Sequence, residues 1–286
     1  MMEFALLADL KGRLLESPVW DADRDCLFLC DIEQGLIHQI ALDGRRLGQW
    51  PMGDKVASLG LCESGRLVVA LSRSVVILDP ATGQRDVLWD GFDEPATSRL
   101  NDGKVGPDGA FWVGSMDGRA ERRPISRLYR VTARGATAVI DGGVQISNGL
   151  AWSGDGRRMF WSDSRGPWID LFDFDPATGT PANRRRIRAL DEATGRPDGA
   201  ACDADGFYWS AGVSAGVINR FSPKGALDRR VPFPVPAPTM PCFCGPGLRQ
   251  MAVTSHRLGD ENPLSGGLFL ATAPVAGVPV ARMKGV

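Results

Sequence analysis

The chain has 286 residues, with 33 lysines and arginines against 34 aspartates and glutamates, a net charge of −1. That balance leaves no basic surplus for a phosphate backbone, so nucleic-acid binding is not expected. With 43% hydrophobic and 23% charged residues, the composition is ordinary for a globular chain and argues against wholesale disorder.

The 35 glycines are about 12% of the chain, against an average of roughly 7%, and with 20 prolines they predict frequent turns and few long helices. Residues 1–10 include Glu3 and Asp9 and show no basic segment leading into a sustained apolar run. No window approaches the roughly 18 apolar residues of a membrane span. Neither a secretory leader nor a membrane helix is therefore expected, and a cytoplasmic location is. The six cysteines are scattered among apolar neighbours without paired Cys-x-x-Cys spacing, and read as buried reduced thiols. Two histidines, His38 and His256, are too few for a histidine-rich metal site.

In chain order, residues 4–11 form an early strand-like run. Pairs of short runs rich in β-branched, aromatic and aliphatic residues follow at 26–32 and 37–42, 67–71 and 75–78, 110–116 and 127–131, 159–162 and 169–174, 207–211 and 217–221, and 250–254 and 267–272. One short helix is expected over 184–193, and Arg184, Arg185 and Arg186 within it read as a solvated surface run. A turn signal follows the first apolar piece of each unit: Asp23-Arg24, Ser64-Gly65, Asp108-Gly109, Asp155-Gly156, Asp205-Gly206 and Pro246-Gly247. Their spacings of 41, 44, 47, 50 and 41 residues match a four-stranded propeller blade. The expectation is an all-β, six-bladed propeller with four-stranded blades around a central channel, forming a single domain over residues 1–286. The early run would complete the last blade and close the ring.

Seven residues before these anchors stand Glu16, Ala57, Asn101, Asn148, Asp198 and Thr239. In a propeller such positions are related by pseudo-rotation and meet at one mouth of the channel. Carboxylates or amides at four of the six make that mouth a candidate site for a hard divalent cation. No Cys or His takes this register, which argues against a closed structural zinc site. Each Asn-Gly or Asp-Gly pair alone would be an ordinary turn; the shared offset is what singles these residues out.

The segments Glu16-Ser17-Pro18-Val19-Trp20, Arg99-Leu100-Asn101-Asp102-Gly103-Lys104, Ser147-Asn148-Gly149-Leu150 and Pro197-Asp198-Gly199 resemble, in order, the motifs of the regucalcin, senescence-marker-protein and gluconolactonase family. The resemblance covers nearly the whole chain. It implies a metal-dependent lactonase that hydrolyses a sugar lactone to the aldonic acid with one divalent ion: Ca, Zn, Mg, Mn or Fe(II). Residue by residue, it implies Glu16, Asn148 and Asp198 as metal ligands, Asp198 as the catalytic base, and Arg99 and Asn101 as substrate contacts. Leu15, Cys244 and Gly247 depart from the family pattern. Residues 117–123, including Glu121, follow no family detail and sit where a strand ends near the expected mouth, so they bear on substrate choice.

Two other functions fit the same scaffold: an aryl-ester or organophosphate hydrolase on the same site, and a non-catalytic calcium-binding regulatory protein. Arg99 beside Asn101 favours a polar, hydroxylated small molecule over the first. A ligand set with only two carboxylates and open positions suits catalysis better than tight calcium buffering. Ser115, Ser147 and Ser162 lack a Gly-x-Ser-x-Gly context, so a serine hydrolase is not supported. His256 is read as an ordinary loop histidine and Asp163 as a structural link between segments. The partner expected is a small sugar lactone, without nucleic acid or membrane; protein partners are left open.

Overall fold

The short apolar runs separated by Gly- and Asp-containing turns pair as antiparallel hairpins, and among the described residues 24 strands assemble into six four-stranded sheets. The computed structural model describes residues 2–257, 259 and 261–286; Met1, Leu258 and Asp260 lie outside the described residues. Five sheets, blades I to V, each use four strands consecutive in sequence. Blade I, for example, runs Leu15–Asp21, Cys26–Asp31, Leu36–Ala41 and Arg46–Pro51. Blade VI takes Pro238–Cys244, Gln250–Ser255 and Leu268–Thr272 from late in the chain and Ala5–Ala8 from its start, paired Ala5 to Leu270. The early run thus closes the ring, and Pro238–Cys244 lies against Leu15–Asp21.

Burial follows position in the blade. The inner strands Leu15–Asp21, Val56–Leu61, Ser98–Val105, Ser147–Trp152, Pro197–Cys202 and Pro238–Cys244 are almost wholly buried, because both their faces meet neighbouring blades. Outer strands such as Thr180–Ala189 and Leu227–Pro232 are mostly exposed and rich in charge, which keeps a free edge from pairing with other chains. Between blades, Trp112, Trp161 and Trp209 are fully buried on successive second strands. Asp108 accepts the Trp112 indole N–H at 3.0 Å and pairs with Arg130 at 2.7 Å; Asp203 does the same for Trp209 and Arg220, both at 2.8 Å. Each aspartate ties a turn to two strands of its blade while satisfying buried donors.

The expected helix over 184–193 is instead the outer strand of blade IV, Thr180–Ala189. The intrinsic helix preference of Arg, Ala and Leu is weak beside edge pairing and side-chain partners. Period-two alternation sends Arg184 and Arg186 together onto the buried carboxylate of Asp170, at 2.7 and 2.5 Å, and Arg185 the other way to Asp173 at 3.0 Å. The arginine run is therefore largely paired rather than merely solvated. All six cysteines are buried and free, His38 sits inside the strand Leu36–Ala41, and Asp163 accepts the backbone N–H groups of Gln145, Ile146 and Arg165 at 2.9, 3.1 and 2.8 Å. Among the described residues, no helix is long and apolar enough to cross a membrane.

Every inner strand breaks register near its start. The irregularities fall between Glu16 and Val19, Val56 and Ser58, Leu100 and Gly103, Asn148 and Ala151, Pro197 and Ala200, and Pro238 and Pro241. The six residues of the shared sequence offset lie on these bulges. A bulge leaves a residue outside the ladder and re-aims its side chain, and here the repeated device gathers side chains at one end of the channel.

Candidate functional site

Four of the bulged residues, Glu16, Asn101, Asn148 and Asp198, line one cavity of about 240 Å³, together with Arg99 and Asp102. All five residues singled out from sequence are therefore brought together. Ala57 also lines it; Thr239 does not, its hydroxyl donating to the Leu15 carbonyl at 2.6 Å and so joining blade VI to blade I. His256 contributes to the wall. Glu121 is exposed and not part of the lining.

The polar groups form a directed chain. Arg99 Nη1 donates to the Leu100 carbonyl at 2.8 Å and to Asn101 Oδ1 at 2.9 Å. Asn101 Nδ2 donates to the Ser147 carbonyl and to Asn148 Oδ1, both at 3.0 Å. Asn148 Nδ2 in turn donates to Asp198 Oδ1 at 2.7 Å and to Ser164 Oγ at 2.6 Å. With both amides oriented this way, Asn148 Oδ1 keeps a second lone pair and Asp198 is held by a single amide donor. Glu16 approaches from blade I: its Oε2 accepts the Ser17 N–H at 2.8 Å, and Ser17, at φ 52°, exchanges hydrogen bonds with the Leu59 backbone.

Gly149 shows why the local sequence is what it is. Its φ is +67°, and a Cβ there would collide with the hydroxyls of Tyr208 and Ser162, so only glycine follows Asn148 without strain.

The electrostatics are those of crowded acids. Burial pushes the Glu16 carboxyl well above its usual range, the negative charges of Asp198 and Asp102 push further, and the Ser17 N–H and Lys104 oppose. Burial and then Asp102 likewise raise Asp198, against Arg196, Arg99 and Asn148. Asp102 is raised by burial with Lys104 opposing; its Oδ2 accepts the Leu150 N–H at 3.1 Å, and its buried Oδ1 has no partner. Lys104 is itself buried, its ammonium donating to the Ala200 carbonyl. Arg99 is lowered to about 10 by burial and stays cationic at neutral pH.

Asp102 and Lys104 were not assigned roles from sequence, although charged residues in an otherwise buried strand are themselves a signal. Arg122, which also lines the cavity, belongs to the segment 117–123 expected to bear on substrate choice, whereas Arg165 and Arg196, likewise in the lining, carry no sequence signal of their own.

A divalent cation fits this donor set. Glu16 and Asp198 supply two desolvated carboxylates whose repulsion a cation would relieve, and Asn148 supplies a neutral oxygen. Among the described residues no three His, Cys, Asp or Glu side chains are grouped to hold a metal, so a cation here depends on the amide.

A 6-deoxy-6-sulfogluconolactonase from Pseudomonas putida is 33% identical over 270 residues, covering 92% of each chain. An L-arabinolactonase from Azospirillum brasilense is 32% identical over 289 residues, 98% of this chain and 95% of the relative. The crystal structure of a calcium-binding protein, regucalcin, from Agrobacterium tumefaciens superposes with a TM-score of 0.91 over 100% of this chain and 98% of its own, at 23% identity, which establishes a common fold. The model of the SMP-30/gluconolactonase/LRE-like region matches residues 14–257, spanning all four motifs and five complete blades, and the chain belongs to that family.

Proposed function

We propose that this chain hydrolyses a sugar lactone with the help of one divalent cation held by Glu16, Asn148 and Asp198. The observation that carries the reading is the hydrogen-bonded chain from Arg99 through Asn101 and Asn148 to Asp198, set beside Glu16 in one cavity. The lactonases among the relatives support the reaction class. Oxygen and amide donors accept Ca²⁺, Mg²⁺, Mn²⁺, Zn²⁺ or Fe²⁺, so supply decides among them.

When bound, the cation supplies Lewis acidity that polarises the lactone carbonyl and steadies the negative charge of the tetrahedral oxygen. Asp198 accepts a proton from the attacking water, a role suited to a carboxylate whose proton affinity is raised by burial. Water oxygen bonds to the acyl carbon, the acyl–ring oxygen bond breaks, and the proton held on Asp198 passes to the departing ring oxygen. The products are a carboxylate, a hydroxyl and one released proton. Asn101 has both amide hydrogens committed to protein acceptors, so it positions Arg99 and Asn148, and its Oδ1 retains one lone pair. Arg99 commits only Nη1, leaving Nε and Nη2 to bind sugar oxygens. The side chains of Leu14, Ile32, Met116, Ile146 and Val213 give the wall an apolar part that limits water around the reacting bond.

The test is acid release from glucono-, galactono-, arabinono- and xylonolactones by chelator-stripped protein with each metal restored, beside calorimetric titration of the metals. Metal-dependent turnover of one or two lactones supports the reading. Silence with every lactone, despite tight metal binding, overturns it in favour of a non-catalytic calcium-binding protein or a hydrolase of non-sugar esters.

A further inference from the structure

Beyond Arg99, the cavity wall includes three more arginines, each from a different blade. Arg122 belongs to the connection that follows Phe111–Asp117 in blade III. Arg165 follows Arg158–Asp163 in blade IV, and Arg196 immediately precedes Pro197–Cys202 in blade V.

Their company elsewhere in the molecule sets them apart. Arg119, three residues from Arg122, is paired with Asp117 at 2.8 Å; Arg130, Arg184, Arg186 and Arg220 all hold buried aspartates. Arg122 has a hydrogen bond only to the Asp117 main-chain carbonyl, and among the described residues Arg165 and Arg196 have no side-chain partner. Neither forms an ion pair or a side-chain hydrogen bond with a carboxylate, although Arg196 is near enough to Asp198 to oppose the rise in its pKa, and the chain as a whole carries a net charge of −1. The three feel one another: burial lowers the basicity of Arg122, and the like charges of Arg165 and Arg196 add to that against Asp117.

The wall thus holds four guanidinium groups against the three carboxylates of Glu16, Asp102 and Asp198, and a bound divalent cation would raise the positive excess further. A neutral sugar needs hydrogen bonds from such a wall, which Arg99 alone can give. Three further unpaired guanidiniums, converging from three blades, are what a second anion requires.

We infer that the substrate is an anionic aldonolactone, one bearing a carboxylate, sulfonate or phosphate at the end of the sugar remote from the lactone carbonyl, which Arg122, Arg165 and Arg196 grip at the mouth. This rests on the lactonase reading above. The remote anion orients the ring so that its carbonyl faces Glu16, Asn148 and Asp198, and the hydrolysed product leaves with one negative charge more than the substrate. The class of reaction that supplies such a substrate is oxidation of the anomeric carbon of a sugar already carrying the terminal acid.

The experiment measures kcat/KM of the metal-loaded protein for a neutral hexonolactone and for its three counterparts with a terminal carboxylate, sulfonate or phosphate. It then repeats the set with Arg122→Gln, Arg165→Gln and Arg196→Gln, singly and together, with Arg165→Lys as a charge-retaining control. A preference of at least about tenfold for one anionic lactone is expected, with each glutamine substitution lowering the anionic-to-neutral ratio by about tenfold and the lysine control recovering part of it. Raising salt should raise KM for the anionic substrate more than for the neutral one. Independently of turnover, calorimetry should show the terminally anionic aldonate binding more tightly than the plain aldonate, and the triple variant should lose that difference.

Equal or better use of the neutral lactone overturns the inference while the lactonase reading stands. An anionic preference that the three substitutions leave untouched overturns the assignment to these arginines. No hydrolysis of any lactone, neutral or anionic, overturns both.

Discussion

The two ends of the channel are made by the same six inner strands and finished in opposite ways. At the end where those strands begin, each has a bulge, and polar side chains converge on a cavity. At the end where they finish, residues 276–284 run across the opening and pair with it. Met283 exchanges backbone hydrogen bonds with Leu61 and Glu63 at 2.8 and 2.9 Å, Lys284 donates to the Gly109 carbonyl at 3.0 Å, Val278 to that of Cys202 at 3.0 Å, and Ala276 accepts from Ala204 at 2.8 Å. Arg282 adds contacts to Asp21 and Asp23 at 2.7 and 2.8 Å. One mouth keeps its polar groups crowded and its acids desolvated; the other satisfies backbone groups with the chain's own segment. The first arrangement is costly to folding and suited to binding, the second the reverse.

The sharpest way to break this contrast is to remove charge from the open mouth. Asp198→Asn should lower kcat/KM at least ~10³-fold, about 4 kcal/mol of barrier, because the base and a metal ligand go together. The metal-free variant should melt no lower than the parent, since the substitution also removes a like charge from beside Glu16 and Asp102. Kinetics paired with scanning calorimetry decides it: an active Asp198→Asn, or one that melts far below the parent, ends the assignment.

The closed mouth should answer oppositely. Met283 is fully buried among Val68, Val105 and their neighbours, so Met283→Ala should cost about 3 kcal/mol of stability through the cavity it leaves. Activity per folded molecule at low temperature should persist. Denaturant melts checked against active-site titration would show whether stability and activity separate as claimed. Gly149→Ala stands between the two mouths in kind: it needs a positive φ and collides with Tyr208 and Ser162. A loss of about 2 kcal/mol is expected, with metal affinity about tenfold weaker as Asn148 is displaced; calorimetric titration of metal reads it directly.

How much of this contrast the sequence carries differs between the mouths. The open one is legible because a blade repeats the same backbone position, so a fixed offset from each turn recovers Glu16, Asn101, Asn148 and Asp198 without knowledge of the bulges. Asp102 and Lys104 were in view in the same motif, but a side chain's path into the channel depends on how the bulge rotates the strand, which spacing does not encode. Arg122, Arg165 and Arg196 stand on connections outside the repeat and meet only in three dimensions. The closed mouth leaves almost no sequence trace: Pro, Val, Ala and Gly around residues 274–281 have neither period, and they pair with the blades through main-chain atoms. The helix expected over 184–193 is displaced by a strand for a related reason. An outer strand exposed on most of its residues lacks the alternation of a half-buried one, and local propensity then filled the gap.

The smallest effect separates the acids of the open mouth from a buried base elsewhere in blade I. His38 is 3% exposed, its Nδ1 has no partner, and burial, aided by the charge of Arg46 and opposed by Asp31, lowers its pKa to about 4. Because the folded value lies below the unfolded one, the unfolded chain takes up a proton first as pH falls. The stability this histidine contributes is complete above the unfolded value of about 6.5 and is lost as pH falls toward about 4.

The metal-free cluster of Glu16, Asp102 and Asp198 acts with the opposite sign. Its folded values lie above the unfolded ones, so its protonation stabilises the fold at low pH and that gain is lost as pH rises through the folded values. Between about pH 7.5 and about pH 5.5, His38 should account for roughly 1 kcal/mol of lost stability. His38→Gln should remove that loss and leave the acids' opposite slope exposed. Urea melts of metal-free parent and variant across this range test it: parallel slopes would show that His38 does not titrate as its burial requires.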